Sequence, residues 1–84
     1  MKAYYVTFRS ITFAQRGESV LSGVGIGCTL QRTPRWMEAK GCGYCLRVPW
    51  QRGPEAVCAL RVQRVDFQRV YLKNENGTIE EAAL

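Results

Sequence analysis

The spacing of apolar residues changes period within the first third of the chain. Residues 3–8 (AYYVTF) are aromatic and β-branched and alternate in polarity, which is typical of a strand. Ser10 then suits a helix N-cap, and from Ile11 onward apolar residues recur at helical spacing. The pattern therefore predicts a helix of about thirteen residues. Gly17 falls inside that helix at a cost of up to about 1 kcal/mol relative to alanine, which indicates either close packing on the sheet or simple tolerance.

Three glycines follow the predicted helix, at positions 23, 25 and 27. A glycine-rich phosphate loop precedes a helix, whereas these residues come at the end of one. They therefore predict a helix C-cap and a turn.

The rest of the chain predicts three further strands, one helix and a C-terminal edge strand. The strands cover 27–32, 44–48 and 67–73, the helix 55–64, and the edge strand 78–81. Asn76-Gly77 is a strong hairpin dipeptide and supports the edge strand. The second helix lacks a clean apolar stripe, so 60–65 could equally be extended.

The resulting order, β-α-β-β-α-β, predicts an α+β, ferredoxin-like fold. In this fold two helices cover one face of an antiparallel sheet. A length of 84 residues suits one small domain, 1–84, with no room for a second.

Composition excludes several classes of function. The sequence has no histidine, which excludes Ser-His-Asp and Cys-His catalysis and His-ligated metal sites. The longest uncharged run, 20–31, is too short and too polar to span a membrane. The first residues lack the apolar core of a secretory signal, so a cytoplasmic location is expected.

The charge is strongly basic, with twelve Lys and Arg against seven Asp and Glu and a net charge of +5. Nine of the cations are arginine, which suits bidentate binding of phosphate or carboxylate. The charge therefore indicates a small anionic ligand, an acidic protein partner or a solvated surface. No cationic block or recognition signature favours nucleic acid.

The cysteines are Cys28, Cys42, Cys45 and Cys58. Cys42-Gly-Tyr-Cys45 has the spacing of a redox pair or half a zinc site. An all-thiolate zinc site usually needs a second close pair, so no metal is expected. If 42–45 is extended, the two Cα atoms lie about 10 Å apart, beyond disulfide reach unless Gly43 turns the chain. Cys28 and Cys58 are predicted to be small buried hydrophobic residues.

The predicted topology brings three segments to one end of the sheet: the end of the first strand, the start of the first helix, and the loop between the second and third strands. We call their residues the rim: Arg9, Ser10, Arg32, Arg35, Lys40, Gly41, Cys42 and Gly43. A helix N-terminus and nearby cations stabilise a thiolate, so Cys42 is the candidate functional thiol, with its pKa lowered. The glycines would leave its sulfur unshielded. On the residues alone, a plain tight turn with an incidental thiol is slightly favoured.

Several strings together resemble a small bacterial family, the Putative Se/S carrier protein-like family. They are YVTFRS at 5–10, AQRGE at 14–18 with Leu21, TPR at 33–35 and GCG at 41–43. The resemblance covers roughly residues 4–72, and its most specific part pairs Thr-Pro-Arg with Gly-Cys-Gly. In it, Cys42 takes the place of the family's cysteine, Arg35 its arginine and Pro34 its loop proline.

The resemblance implies a carrier of reduced sulfur or selenium, with donor and acceptor proteins as partners and no cofactor. Whether the protein is also an enzyme stays open, although turnover is not favoured, since the sequence offers no general base near the thiol. The alternative is a non-covalent accessory or regulatory module that binds an anion or an acidic protein at the same rim. Trp36 and Trp50 could instead form an apolar docking patch. Oligomerisation through the sheet edge or through Tyr4, Tyr5 and Tyr71 is a third alternative.

Overall fold

A computed structural model of the chain describes residues 2–34 and 43–82. It contains the strands and helices β1 (Ala3–Phe8), α1 (Ile11–Gly23), β2 (Thr29–Arg32), β3 (Tyr44–Pro49), α2 (Gly53–Val62), β4 (Val70–Lys73) and β5 (Ile79–Glu81). A short 3₁₀ turn, Trp50–Arg52, joins β3 to α2.

The five strands form one antiparallel sheet in the order β2-β3-β1-β4-β5. β1 lies at the centre, where Val6 pairs with Leu46 of β3 on one side and with Val70 of β4 on the other. This arrangement confirms the predicted α+β, ferredoxin-like fold and the additional C-terminal edge strand.

Both helices pack on one face of the sheet. The main core joins apolar sheet residues to the inner sides of the helices: Val6, Phe8, Leu46, Val48, Ala14, Leu21, Ala56, Val57 and Leu60. A smaller buried cluster, Ala3, Tyr5 and Cys45, lies on the opposite face, as the period of two in a strand requires. Within the described ranges, no helix is long and apolar enough to cross a bilayer.

The first two elements match their predicted bounds, whereas the bounds of the later elements differ from the prediction by one to three residues. β2 begins at Thr29 instead of 27, and β4 begins at Val70 instead of 67. Helix α2 both begins and ends two residues earlier than predicted. Just beyond α2, Arg64 has a left-handed backbone with φ 56°, which is incompatible with continuing the helix.

The late start of β4 has a local cause at Thr7. The Arg69 N–H donates to the Thr7 hydroxyl oxygen over 3.0 Å, and the Gln68 N–H donates to the Thr7 carbonyl over 2.7 Å. A regular ladder would instead pair the Arg69 N–H with that carbonyl. The side chain thus diverts one ladder bond, and regular pairing begins only at Val70.

Gly17 lets α1 approach the sheet closely. A Cβ atom at this position would lie 2.9 Å from the Cζ atom of Phe8 and 3.2 Å from the Cδ1 atom of Leu46. Both of those side chains are fully buried. Of the two explanations for this glycine, close packing is therefore the correct one.

The substitution Gly17→Ala is expected to lower the free energy of unfolding by about 1–2 kcal/mol. Overpacking costs about 1–3 kcal/mol, which exceeds the gain of up to about 1 kcal/mol in helix propensity. Urea denaturation measures the change. Gly23→Ala is the matched control, since a Cβ there meets nothing within 4 Å, and it should be neutral or stabilising. Equal stabilisation by both substitutions would contradict the close approach.

Candidate functional site

The first side of the described rim is the turn from β1 into α1. Ser10 has an extended backbone, and its hydroxyl oxygen accepts a hydrogen bond from the Phe13 N–H over 3.5 Å. The predicted N-cap is therefore confirmed, and the hydroxyl satisfies one of the helix's unpaired N–H groups. Arg9, between β1 and this cap, is exposed.

The second side is formed where β2 and β3 meet. Beyond the Arg32–Tyr44 pair, the Thr33 N–H donates to the Gly43 carbonyl over 3.0 Å. A Cβ on Gly43 would lie 3.0 Å from the carbonyl oxygen of Phe8, so a side chain here would press on the end of β1. The ends of three strands thus meet around Gly43, which is bonded directly to Cys42.

Arg32 lies on the same end of the sheet, against an aromatic ring. Its guanidinium carbon is 6.0 Å from the ring centroid of Tyr44, a cation–π distance. Tyr44 in turn lies opposite Phe8 of β1 in the β1–β3 ladder. The structure therefore brings Arg9, Ser10, Arg32 and Gly43 to one end of the sheet, as the topology argument predicts.

The other predicted rim residues, Arg35, Lys40, Gly41 and Cys42, lie outside the described residues, as does Trp36. Their roles remain predictions. Within the described ranges, no group of three His, Cys, Asp or Glu side chains lies close enough together to hold a metal ion.

Thr33 lies next to Arg32 of the rim, and the sequence had indicated only a loop residue. Its side chain is 6% exposed, and its hydroxyl has no nitrogen or oxygen partner among the described residues; the polar group that it approaches is the thiol of Cys45. The hydroxyl oxygen lies 3.4 Å from the position that a Gly43 Cβ would occupy. Residues two positions apart in a strand lie on the same face of the sheet, so the position of Gln31 would have indicated the face on which Thr33 lies.

Cys45 is fully buried in β3. Burial raises the pKa of its thiol to about 11, although the nearby polar side chains of Thr33 and Gln31 act in the opposite direction. Cys45 is therefore a neutral thiol at physiological pH.

The two remaining cysteines of the described ranges differ from each other. Cys28 is half-buried, and burial, together with the charge of Glu18, raises the pKa of its thiol. Cys58 is exposed, so its predicted burial is wrong. Ala56, Val57 and Leu60 occupy the inner side of α2, and the helical period turns Cys58 towards solvent.

The sequence matches the family described as Putative Se/S carrier protein-like over residues 3–72. The chain belongs to this family. The match runs from the first residue of β1 nearly to the end of β4 and includes the whole Thr33–Gly43 segment. No curated protein and no solved structure gives a significant match.

Thr33→Val is expected to leave the free energy of unfolding unchanged or to raise it by about 1 kcal/mol. Valine keeps the β-branched shape and removes a buried hydroxyl, and burying such a group without a partner costs about 1–3 kcal/mol. Chemical denaturation of the purified variant measures this.

Thr7→Val is the matched control on the same face of the sheet. The Thr7 side chain is buried, and its hydroxyl both donates to the Arg69 carbonyl and accepts from the Arg69 N–H. This variant should lose about 1–3 kcal/mol, because the Arg69 N–H loses the hydroxyl oxygen to which it donates, whereas the Arg69 carbonyl keeps the bond from the Thr7 N–H. A comparable loss in both variants would show that the Thr33 hydroxyl does have a partner.

The raised pKa of Cys45 predicts a loss of stability in alkaline solution. An unfolded cysteine releases its proton near pH 8.5, whereas folded Cys45 keeps it until about pH 11. The folded state binds more protons in this window, so the free energy of unfolding falls as the pH rises. Between pH 8 and 10, the wild type should lose roughly 2 kcal/mol more than Cys45→Ala. Cys58→Ala, which removes an exposed thiol, should follow the wild type, and identical pH profiles for all three proteins would contradict the prediction.

Proposed function

We propose that this protein carries a reduced sulfur or selenium atom on the thiolate of Cys42. The observation that carries the proposal is the family match over residues 3–72, which includes this cysteine. The position of Gly43 supports it, because the residue bonded to Cys42 lies where β1, β2 and β3 end together.

The chemistry is an exchange at sulfur. The Cys42 thiolate attacks the outer sulfur of a donor protein's persulfide, the donor's S–S bond breaks, and an S–S bond to Cys42 forms. The donor thiolate is the leaving group, so no external oxidant or reductant is consumed. A second transfer of the same kind passes the atom to an acceptor, and an Se–S bond replaces S–S when selenium is carried.

The cations of the rim have two tasks in this proposal. Arg9 and Arg32 lie at one end of the sheet, and Arg35 and Lys40 precede Cys42 in the sequence by seven and two positions. Positive charge lowers the pKa of a thiol and stabilises the anionic persulfide that it forms. The same charge attracts acidic surfaces of donor and acceptor proteins in the cytoplasm.

Cys42 is the best candidate among the four thiols. Cys28 and Cys45 have raised pKa values, which disfavour the nucleophilic thiolate. Cys58 is exposed on α2, and the nearest cations on its own helix do not form part of the rim. Only Cys42 both takes the place of the family's cysteine in the resemblance and has predicted cationic neighbours.

Incubation with a low-molecular-weight persulfide should add about 32 Da, one sulfur atom, to the protein, and a thiol reductant should remove it. Intact mass spectrometry measures the gain, and peptide mapping locates it on Cys42. Cys42→Ser should lose the gain, whereas Cys58→Ser, the matched control, should keep it. A gain shared equally by Cys42 and Cys58 would refute a dedicated carrier thiol.

Alkylation in the same protein provides an independent measurement. At pH 6.5, Cys42 should react about three to ten times faster than Cys58, because a lower pKa increases the thiolate fraction more than it weakens the nucleophile. The non-covalent alternative predicts a different pattern. Cys42→Ser would then keep the affinity for an acidic partner, and the Arg32→Ala/Arg35→Ala variant would lose it.

A further inference from the structure

A cationic cavity lies at the opposite end of the sheet from the rim. It has a volume of about 140 Å³ and is lined by Lys2, Ala3, Arg47, Pro49, Trp50 and Gln51. Ala3 pairs with Pro49 at this end, and Phe8 pairs with Tyr44 at the other. At about 3.4 Å per residue the two ends are roughly 17 Å apart, so the cavity is separate from the rim.

The cavity is positively charged without internal compensation. Its lining includes Lys2 and Arg47 and contains no acidic residue. The cross-strand neighbours of Arg47 are Tyr5 and Thr29, both uncharged. Within residues 2–34 and 43–82, neither Lys2 nor Arg47 forms an ion pair. Two like charges that share a small cavity favour an anion between them.

Trp50 adds an apolar wall to this charge. It is one of the few large apolar side chains that are exposed, at 46%, and the ammonium group of Lys2 lies 5.3 Å from its ring centroid. The lysine is thus held at the cavity by a cation–π contact instead of extending into solvent. A ligand with an anionic head and a short apolar body would contact both the cationic side chains and the indole ring.

We propose that this cavity, the Lys2–Arg47 pocket, binds a small oxyanion, either a carboxylate or a phosphate group. A guanidinium pairs with two oxygens of such a group, an ammonium adds a point charge, and the amide of Gln51 offers further N–H donors. The volume equals that of about four or five waters in the liquid, which suits the head group and a few carbons but not a nucleotide. The oxyanion belongs either to a free small molecule or to the carboxylate of an acidic protein tail.

Amide and indole NMR spectra of the full chain test the pocket directly. Benzoate, phenyl phosphate and a short peptide ending in two aspartates are titrated separately at constant ionic strength. The Trp50 indole N–H and the backbone signals of Lys2 and Arg47 should shift and saturate. Tighter binding of the small anions identifies a free small molecule as the ligand, and tighter binding of the peptide identifies a protein tail. The absence of saturable shifts with all three probes overturns the proposal.

Two double variants with the same change in net charge separate the pocket from general electrostatics. Lys2→Gln/Arg47→Gln should weaken binding at least about tenfold, the expected effect of losing charge-assisted hydrogen bonds. Arg16→Gln/Arg64→Gln removes two exposed cations elsewhere and should leave the affinity unchanged. Equal weakening in both overturns the proposal. Arg47→Lys keeps the positive charge but removes the planar guanidinium that can bind two oxygens. An intermediate loss of affinity in this variant supports the pocket even if the first double variant folds poorly.

The outcome is independent of sulfur transfer. The Lys2 and Arg47 variants should still gain sulfur on Cys42, and Cys42→Ser should still bind the probes. A failure of the carrier proposal and a failure of the pocket are therefore distinguishable.

Discussion

The antiparallel pairing of β1 with β3 places the described rim residues at one end of the sheet and the Lys2–Arg47 pocket at the other. This one ladder runs from Ala3 opposite Pro49 to Phe8 opposite Tyr44, and the two cationic regions lie at its two ends. A slip of one residue would turn Val6 and Phe8 away from the helices and expose them. Burial of one face of β1 therefore fixes the register of the β1–β3 pairing, and this register fixes the positions of the two ends of the sheet.

The strongest local signals of the sequence predicted the first half of the fold well. β1 and α1 depend on alternation, a serine cap and helical spacing, and these act within a few residues. The start of β4 could not be predicted in this way, because it depends on a hydrogen bond between Arg69 and Thr7, which are 62 positions apart. Cys58 was misassigned because the apolar residues of α2 do not form a stripe clear enough to fix the helix phase.

The candidate site was predictable to the extent that backbone topology determines it. Element order alone indicated that Arg9, Ser10, Arg32 and Gly43 share one end of the sheet, and the described residues agree. The burial of the Thr33 hydroxyl without a nitrogen or oxygen partner among residues 2–34 and 43–82 was not predictable, because it depends on the positions of all neighbouring donors and acceptors. The Lys2–Arg47 pocket was missed for a related reason: its residues come from the start of β1, from β3 and from the 3₁₀ turn, and no motif connects them.

The burial of Cys45 has a consequence for how long a carrier could retain its cargo. A persulfide is lost when a neighbouring thiolate attacks its inner sulfur, forms a disulfide and releases hydrosulfide. A cysteine three positions along the chain is the usual resolving thiol of such a reaction, and here that thiol is Cys45. It is held inside β3 with no exposed surface, and its pKa of about 11 keeps it protonated. On the proposed function, the thiol that could discharge a persulfide on Cys42 is therefore buried and protonated in β3, which favours delivery of the sulfur to another protein over self-discharge.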